Sequence, residues 1–465
     1  MIFASFEFLF LFLPLFFAVY FLTPARLRNW PILLLSWAFY AWWRVDFLAL
    51  LAGVTLFTFL VARAMDARGP QSVVGKRLLL LGLVGNLGVL AWFKYANFGV
   101  DTLNALRAGW GLAPLGWQAI LLPIGLSFYV LQSVSYLVDL SRGDVPVSRS
   151  FVNYAAYKAI FSQLIAGPIV RYAEIEHELK SRTHSLAQFG LGARRFMLDF
   201  AAKVLVADTL SPLVEAAFAL PAPSLAEAWA GAVAYTLQLL FDFGGYSAMA
   251  IGLALMCGFR FPENFDHPYL SGSIQEFWQR WHMTLSRFLR DYLYIPLGGS
   301  RRGPLRTYVN LLATMVIGGF WHGANWTFLL WGAWHGGLLA LHRGWSRGGA
   351  SLPWLLANPL LMLAVIIGWV TFRAPSIAAT WAMYRGMLGL NGAGFSDALL
   401  WQVTPDQWWC LGLAGGLVYA PRLLRGRLPG GAVALAWWGG PLLGFLVAMV
   451  ALYSRAAVPF LYFQF

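Results

Sequence analysis

The chain is short of charge, since only 11% of its 465 residues are Asp, Glu, Lys or Arg, against roughly 25% in an average soluble domain. It is also short of cysteine, with only Cys257 and Cys410, both in apolar stretches. Two such cysteines argue against a disulfide framework and against a cysteine-based metal site. The sequence contains neither a G-x-S-x-G turn nor a glycine-rich phosphate loop, so two common enzyme signatures are missing.

Apolar residues are abundant, at 59% of the chain and a mean hydropathy of +0.64. A helix needs about 20 apolar residues to cross a bilayer, so the sequence predicts an all-α, polytopic membrane protein with about 11 to 13 hydrophobic helices. The clearest blocks are residues 2–22, 46–65, 119–140, 308–322, 325–341, 355–372 and 433–453. The first block has no basic segment or cleavage site before the next span, so we expect it to be retained rather than cleaved as a signal peptide.

The net charge of +13 is spread unevenly over the loops. Basic residues concentrate in loops 24–29, 63–77 and 141–150, whereas Lys94 and Arg107 are assigned to a poorer alternate loop. Because cytoplasmic loops carry the Lys/Arg excess, these three loops are predicted to be cytoplasmic and the N-terminus extracytoplasmic. The charges flank the spans instead of forming one dense patch, so nucleic-acid binding is not expected.

Two stretches interrupt the simple pattern of spans. Within 151–200, Gly167-Pro168 ends an apolar run too short to cross, which predicts a re-entrant element. Residues 226–257 are too long for one span and carry Gly244-Gly245 at the middle, which predicts two helices or one broken helix. In this stretch Asp242 and Tyr246 are four residues apart on one helix face, and a buried Asp needs a partner, so structural pairing is expected there.

Residues 274–294 have the pattern of an amphipathic helix. An apolar stripe is formed by Trp278, Trp281, Leu285, Phe288, Leu289 and Tyr292. Arg280, Arg287 and Arg290 fall on the opposite side, which predicts a helix lying in the membrane interface. On a helical wheel His282 lies at the edge of the apolar stripe. We therefore expect His282 to point inward and to meet His322 where this helix covers the end of the next span.

His322 stands in the segment "GGFWHGANW", between two apolar runs. An ionisable side chain at membrane depth suggests function by default, and histidine can exchange a proton near neutral pH. Gly318, Gly319 and Gly323 remove side-chain bulk, so a ligand or another backbone can approach. The residues leave two interpretations open: a general base in a membrane tunnel, or a helix-end histidine hydrogen-bonded to a carbonyl.

The remaining histidines do not predict a metal site. His335 and His342 share a helix face, but two helical turns separate them by about 10.5 Å, and no acidic or cysteine ligand joins them. His335 is expected to pack or to hydrogen-bond within the protein.

Two long motifs carry a family resemblance: "FWQRWHMTLSRFLRDYLYIPLGG" and, after a short loop, "GGFWHGANWTFLLWGAWHG". With "LLPIGLSFYVLQSVSYLVD" and "FSQLIAGPIVR", they resemble the membrane-bound O-acyltransferase (MBOAT) superfamily, and within it the bacterial branch that acetylates alginate and cellulose. The resemblance implies a single membrane-embedded O-acyltransferase domain over 1–465, with its core at about 120–345. It further implies acyl transfer to a hydroxyl group, with His322 as the catalytic histidine and His282 as its polar partner.

The resemblance also implies the substrates. Acetyl-CoA is the expected donor, with no bound cofactor, and it would approach from the cytoplasm, where arginines can meet its phosphates. The expected acceptor is an exported polysaccharide, reached through a periplasmic SGNH-esterase-like partner at the bacterial inner membrane. Substrate contacts are expected from Trp278, Arg280, Trp281, Arg287, Arg290, Trp321 and Asn325.

The alginate-type motif is not fully matched, because Gly244 and Ala248 stand where that motif has Ser and Asp. Alginate itself is therefore not fixed as the acceptor. Acylation of a lipid, a teichoic-acid carrier or a protein is an open alternative. Broken helices and an intramembrane histidine also suit a transporter of a polysaccharide intermediate, although the sequence shows no repeated pair of broken segments.

Overall fold

The computed structural model describes residues 2–165, 167–349, 351–423, 430–455 and 458–461. Regular structure in these ranges is helical throughout, without a strand, so the predicted all-α class is confirmed. The chain groups into two compact units, Met1–Ala193 with Ala250–Pro262, and Arg194–Met249 with Glu263–Phe465. The expectation of a single domain stays a prediction.

The first unit is built from short helices and two long ones. Its helices are α1 (Leu13–Leu22, preceded by a π-helical turn, Glu7–Phe12), α2 (Asn29–Ala41), α3 (Val45–Arg68), α4 (Val73–Gly109), α5 (Leu126–Arg142), α6 (Phe151–Ala159), α7 (Phe161–Leu164), α8 (Tyr172–Lys180) and the first part of α9 (Leu186–Ala202). Gly69, at φ 81°, ends α3, and the Ser72 hydroxyl accepts a hydrogen bond from the Gly75 N–H to cap α4.

The second unit contains the rest of α9 and the later helices. They are α10 (Asp208–Ala219), α11 (Leu225–Leu239), α12 (Gly245–Met256, whose last turns belong to the first unit), α13 (Ile274–Arg280), α14 (Met283–Leu289), α15 (Pro304–His322), α16 (Trp326–Arg347), α17 (Trp354–Arg373), α18 (Ile377–Met387), α19 (Asp397–Leu400), α20 (Pro405–Leu423) and α21 (Gly430–Ser454). π-Helical turns at Lys203–Ala207, Leu240–Gly244 and Arg290–Tyr294 interrupt or extend these helices.

Four helices in the described ranges are long and apolar enough to cross a membrane: Val45–Arg68, Val73–Gly109, Leu225–Met256 and Trp354–Arg373. The first and last contain the predicted blocks 46–65 and 355–372. Leu225–Met256 is one helix interrupted by a π-helical turn, which confirms the second of the two alternatives for 226–257. The expected total of about 11 to 13 hydrophobic helices stays a prediction.

Three expectations about helix limits were wrong. The block 2–22 is helical only from Glu7, and the block 119–140 only from Leu126, because Gly125 adopts a left-handed conformation at φ 76° directly before α5. Lys94 does not lie in a loop but inside α4, 8% exposed, with its ammonium 3.4 Å from the Ser127 hydroxyl. The sequence places Lys94 wrongly because α4 has 37 residues, and polar residues inside so long a helix resemble the end of a membrane span.

The stretch 151–200 is broken as expected. Two short helices, α6 and α7, are followed by a non-helical segment at 168–171 and then by α8. The side chains of 154–165 are buried in the protein. Irregular backbone at membrane depth is tolerated where protein surrounds it, and the burial of this stretch meets that condition. A re-entrant path through the bilayer stays a prediction.

The hairpin α15–α16 carries the key histidine, and glycine lets its helices approach closely. A Cβ on Gly319 would lie 2.3 Å from the Phe328 carbonyl oxygen, and one on Gly332 would lie 2.4 Å from the Met315 carbonyl oxygen. Real Cβ atoms do not approach backbone this closely, so both positions need glycine. The close crossing fixes the end of α15, where His322 lies.

Candidate active site

His322 is the last residue of α15, because Gly323 leaves the helix in an extended conformation. Its side chain is buried, with only 5% of its surface exposed. Its ring lies 5.0 Å from Trp321, 5.2 Å from Trp331 and 5.3 Å from Phe372, measured between ring centroids. We call Trp321, Trp331 and Phe372 the aromatic cage. The cage excludes water around an imidazole, which is the setting that a buried proton-transfer group requires.

The glycines beside His322 make room for protein rather than for a ligand. A Cβ on Gly323 would lie 2.0 Å from the Phe328 ring, and one on Gly318 would lie 2.9 Å from the Leu289 side chain. Gly319 faces the α16 backbone, as described above. Of the two possibilities raised by the sequence, close approach of other parts of the chain is therefore the one observed.

The predicted interfacial helix is not continuous. It breaks between α13 and α14, where Trp281 is extended and His282 adopts a left-handed conformation at φ 42° and ψ 53°. A non-glycine residue in this region is uncommon and needs support from its surroundings. Asn264 supplies it, because its carbonyl oxygen accepts the Met283 N–H at 2.9 Å and its side-chain oxygen accepts the Thr284 N–H at 3.2 Å.

The break brings His282 to His322. His282 is fully buried, and its ring centroid lies 6.3 Å from that of His322. Its other contacts are an edge-to-face contact with Phe243 at 4.8 Å and a hydrogen bond of 3.0 Å between Nδ1 and the Asn264 side-chain oxygen. The prediction that His282 points inward and lies near His322 is confirmed. The continuous helix assumed in that prediction is, however, interrupted at His282.

A cavity of about 460 Å³ lies between the broken interfacial element and the hairpin α15–α16. The residues lining it include Trp278, Arg287, Arg290, Met315 and Arg343. Three guanidinium groups around one cavity suit a ligand that carries phosphates.

Arg280 departs from this arrangement. It does not line the cavity, and its guanidinium forms an ion pair with Glu276 at 2.9 Å. Arg290 also has a carboxylate neighbour, Asp291, at 2.6 Å, but it remains on the cavity wall. The expected basic face of three arginines is therefore reduced to Arg287 and Arg290, and Arg343 from α16 joins them.

The other predicted contact residues divide between site and scaffold. Trp278 lines the cavity and Trp321 belongs to the aromatic cage. Trp281 is 3% exposed and packs on Trp369 at 4.9 Å. Asn325 caps α16, since its side-chain oxygen accepts the Thr327 N–H and its amide donates to the Pro375 carbonyl. Trp281 and Asn325 thus have structural roles, and substrate contact by either stays a prediction.

His335 packs, as expected. It is fully buried, with its ring 4.9 Å from Trp331 and 5.2 Å from Trp278. Among the described residues neither of its ring nitrogens has a hydrogen-bond partner. No group of three potential metal ligands occurs in the described part of the chain.

Asp242 pairs structurally, as predicted. Its carboxylate lies 3.5 Å from the Lys203 ammonium and accepts the Leu461 N–H at 2.9 Å. Four site residues were missed from the sequence: Asn264, Trp331, Arg343 and Phe372. Trp331 and Phe372 stood in the predicted apolar blocks 325–341 and 355–372, and Arg343 lies just beyond the first of them. Nothing in the local sequence pointed from these residues or from Asn264 to His322, and Asn264 and Phe372 are 58 and 50 positions away from it.

Comparison with known proteins identifies the family of this chain. The model of the membrane-bound O-acyltransferase family matches residues 127–355, which contain both histidines. The chain is 46% identical to the probable alginate O-acetylase AlgI of Azotobacter vinelandii over 100% of both chains. It is 51% identical to that of Pseudomonas aeruginosa, over 84% of this chain and 75% of the relative. The chain belongs to the membrane-bound O-acyltransferase family.

A more distant MBOAT relative is the peptidoglycan O-acetyltransferase of Helicobacter pylori, 36% identical over 83% of this chain and 79% of the relative. Membership makes this MBOAT protein a membrane acyltransferase. It favours acyl transfer over the transporter alternative. In this light the buried histidine pair and the basic cavity are the two parts of the second unit with chemistry suited to acyl transfer.

Proposed function

We propose that this chain is a bacterial inner-membrane O-acetyltransferase that moves acetyl groups from cytoplasmic acetyl-CoA towards an exported polysaccharide. The observation that carries the proposal is the buried pair of His282 and His322, of which His322 lies in the aromatic cage. The names of the relatives support the acceptor class, because alginate and peptidoglycan are both polysaccharide-containing polymers outside the cytoplasm.

His322 acts as the general base. The acceptor hydroxyl attacks the thioester carbonyl, the new O–C bond forms, and the C–S bond to the CoA thiol breaks. His322 takes the hydroxyl proton and returns it to the leaving thiolate, so that the free thiol and the acetyl ester are the products. A base needs to be within hydrogen-bond reach of that proton, directly or through one water. The acceptor hydroxyl would therefore have to come within this reach of the His322 ring.

The donor binds in the basic cavity. Arg287, Arg290 and Arg343 offer guanidinium groups that pair with phosphate oxygens in a bidentate way. Acetyl-CoA is made in the cytoplasm, so the donor is proposed to enter from that side, which is also the side predicted for the basic loops 24–29, 63–77 and 141–150.

The acceptor route includes a periplasmic partner of the SGNH-esterase type. An acetyl group destined for a polymer outside the membrane needs a hydroxyl there to receive it, and a serine of such a partner supplies one. The final polymer is alginate-like or cellulose-like. Gly244 and Ala248, which differ from the alginate-type motif, make peptidoglycan or a lipid carrier the alternative outcomes when the acetylated product is identified.

Substitution of His322 tests the proposal. His322→Gln keeps a hydrogen-bonding side chain but cannot accept the proton at neutral pH, so acetylation is expected to fall by about 10²–10⁴, the usual contribution of a general base. The measurement is the O-acetyl content of the exported polymer, normalised to the amount of protein in the membrane. His335→Gln is the matched control, a second buried histidine beside Trp331, and it is expected to retain more activity. Near wild-type acetylation by His322→Gln would refute the catalytic role.

The donor site is tested separately with purified protein and acetyl-CoA. Arg287→Gln and Arg343→Gln should each raise the KM for acetyl-CoA by about tenfold, as expected for loss of one charge-assisted hydrogen bond. Arg280→Gln is the control, because Arg280 pairs with Glu276 outside the cavity. A KM that rises as much for Arg280→Gln as for the others would place the donor elsewhere.

A further inference from the structure

Asn264 is connected to His282 although 18 positions separate them in the sequence. Its side chain is 1% exposed and lies in the non-helical segment between α12 and α13. Its oxygen Oδ1 is within hydrogen-bond distance of three groups, His282 Nδ1 at 3.0 Å, the Thr284 N–H at 3.2 Å and the Thr284 hydroxyl at 2.8 Å. Its amide nitrogen donates to the Ser247 hydroxyl at 3.1 Å.

These contacts fix which way the Asn264 amide faces. A backbone N–H only donates, so the atom that faces Thr284 N–H must be the oxygen; the flipped amide would set two donors against each other. Nδ1 of His282 lies against the same oxygen and therefore has to carry a hydrogen. In a neutral imidazole the other nitrogen then carries the lone pair.

We propose that Asn264 is a positioning residue that holds His282 in the Nδ1–H form and makes Nε2 the hydrogen-bond acceptor in the site. Nε2 is buried and has no hydrogen-bond partner among the described residues. The centroid of the His282 ring lies 6.3 Å from that of the His322 ring. The inference rests on the proposed function, since the group that donates a hydrogen bond to Nε2 is a water molecule beside the acceptor hydroxyl. The acceptor hydroxyl has a single proton, which His322 takes, so Asn264 acts by fixing, through His282, the water next to that hydroxyl.

Asn264 also supports the backbone that presents His282. The Met283 N–H donates to the Asn264 carbonyl, so one residue holds both the left-handed turn and the imidazole. This dual support explains how a strained, non-glycine conformation persists at the break between α13 and α14.

The form of the imidazole is measured directly by ¹⁵N NMR on the full chain in lipid, labelled at histidine, with His282→Gln used to assign the signal. At neutral pH we expect His282 to show a protonated Nδ1 and an unprotonated Nε2. A protonated Nε2 would overturn the proposal. This result does not depend on acetyl transfer, so it separates a failure of the positioning role from a failure of the proposed function.

Three variants then connect the tautomer to activity. Asn264→Asp keeps an oxygen acceptor for His282 and should retain at least about a tenth of the wild-type rate, whereas Asn264→Leu should lose about 10²-fold or more, the lower range for acid–base groups. Thr284→Val is the matched control, because it removes one donor to Asn264 and leaves the bond to His282. Equal rates for the Asp and Leu variants, or a loss in Thr284→Val as large as in Asn264→Leu, would contradict the positioning role.

Discussion

At the scale of single residues, Lys203, a buried lysine of the second unit, is held by ion pairs with two buried carboxylates. Lys203 is 3% exposed at its side chain and lies between the carboxylates of Asp208 and Asp242, which are 9% and 3% exposed. It also donates to the Val458 carbonyl at 3.1 Å. Lys203 begins one π-helical turn and Asp242 lies in another. Removing one partner of a buried ion pair leaves an uncompensated charge in a low-dielectric interior.

Removing that lysine should therefore be costly. Lys203→Met leaves two buried carboxylates without their cation and is expected to destabilise the protein by about 3–5 kcal/mol, the range for breaking a buried ion pair. The measurement is thermal unfolding in detergent with the protein monitored by size-exclusion chromatography. Arg44→Met, which breaks the exposed pair of Arg44 and Asp46, is the control and should leave the melting temperature near wild type. Equal stability of the two variants would show that the buried cluster is not a stabilising unit.

At the scale of elements, the interrupted interfacial helix and the hairpin α15–α16 together create the site. The hairpin depends on backbone contact at Gly319 and Gly332, whereas the interfacial element depends on the turn at His282. The helical wheel placed His282 on the correct side because apolar burial sets that side, even though the chain turns at that residue. The wheel gave no warning of the turn, because a left-handed residue leaves no periodic trace.

The hairpin contact predicts a contrast between two glycines. Gly319→Ala forces its methyl group against the Phe328 carbonyl and should destabilise the protein by about 1–3 kcal/mol, as overpacking usually does. Gly337→Ala, on α16, meets no atom within 4 Å and should be neutral or slightly stabilising. Thermal unfolding of both variants checks this. Gly319→Ala with an unchanged melting temperature would mean that the hairpin can separate without cost.

At the scale of the whole molecule, the basic loops are expected to set the orientation in the membrane. Residues Arg26 and Gln71 are exposed at the ends of the first-unit helices. Cytoplasmic loops attract Lys and Arg, so both positions are expected on the cytoplasmic side, and the turn at Trp42, between them in the chain, on the opposite side. Native Cys257 and Cys410 are buried, so they add little background to thiol labelling.

Cysteine labelling of intact cells tests the orientation. Cysteines introduced at Arg26 and Gln71 should resist a membrane-impermeant thiol reagent and react only after the cells are opened. A cysteine at Trp42, which is 57% exposed, should react in intact cells. The reverse pattern at all three positions would place the N-terminus in the cytoplasm and would overturn the predicted orientation.

The sequence by itself determined the all-α class, the membrane location and the inward side of His282. These follow from composition and from periodicity, which are local properties of the chain. Only the tertiary structure decided that Phe372 completes the aromatic cage and that Asn264 holds His282. It also decided that Arg280 lies outside the basic cavity and that other parts of the protein occupy the space beside the glycines near His322. These contacts depend on how the helices pack against one another. A local sequence pattern carries no information about that packing.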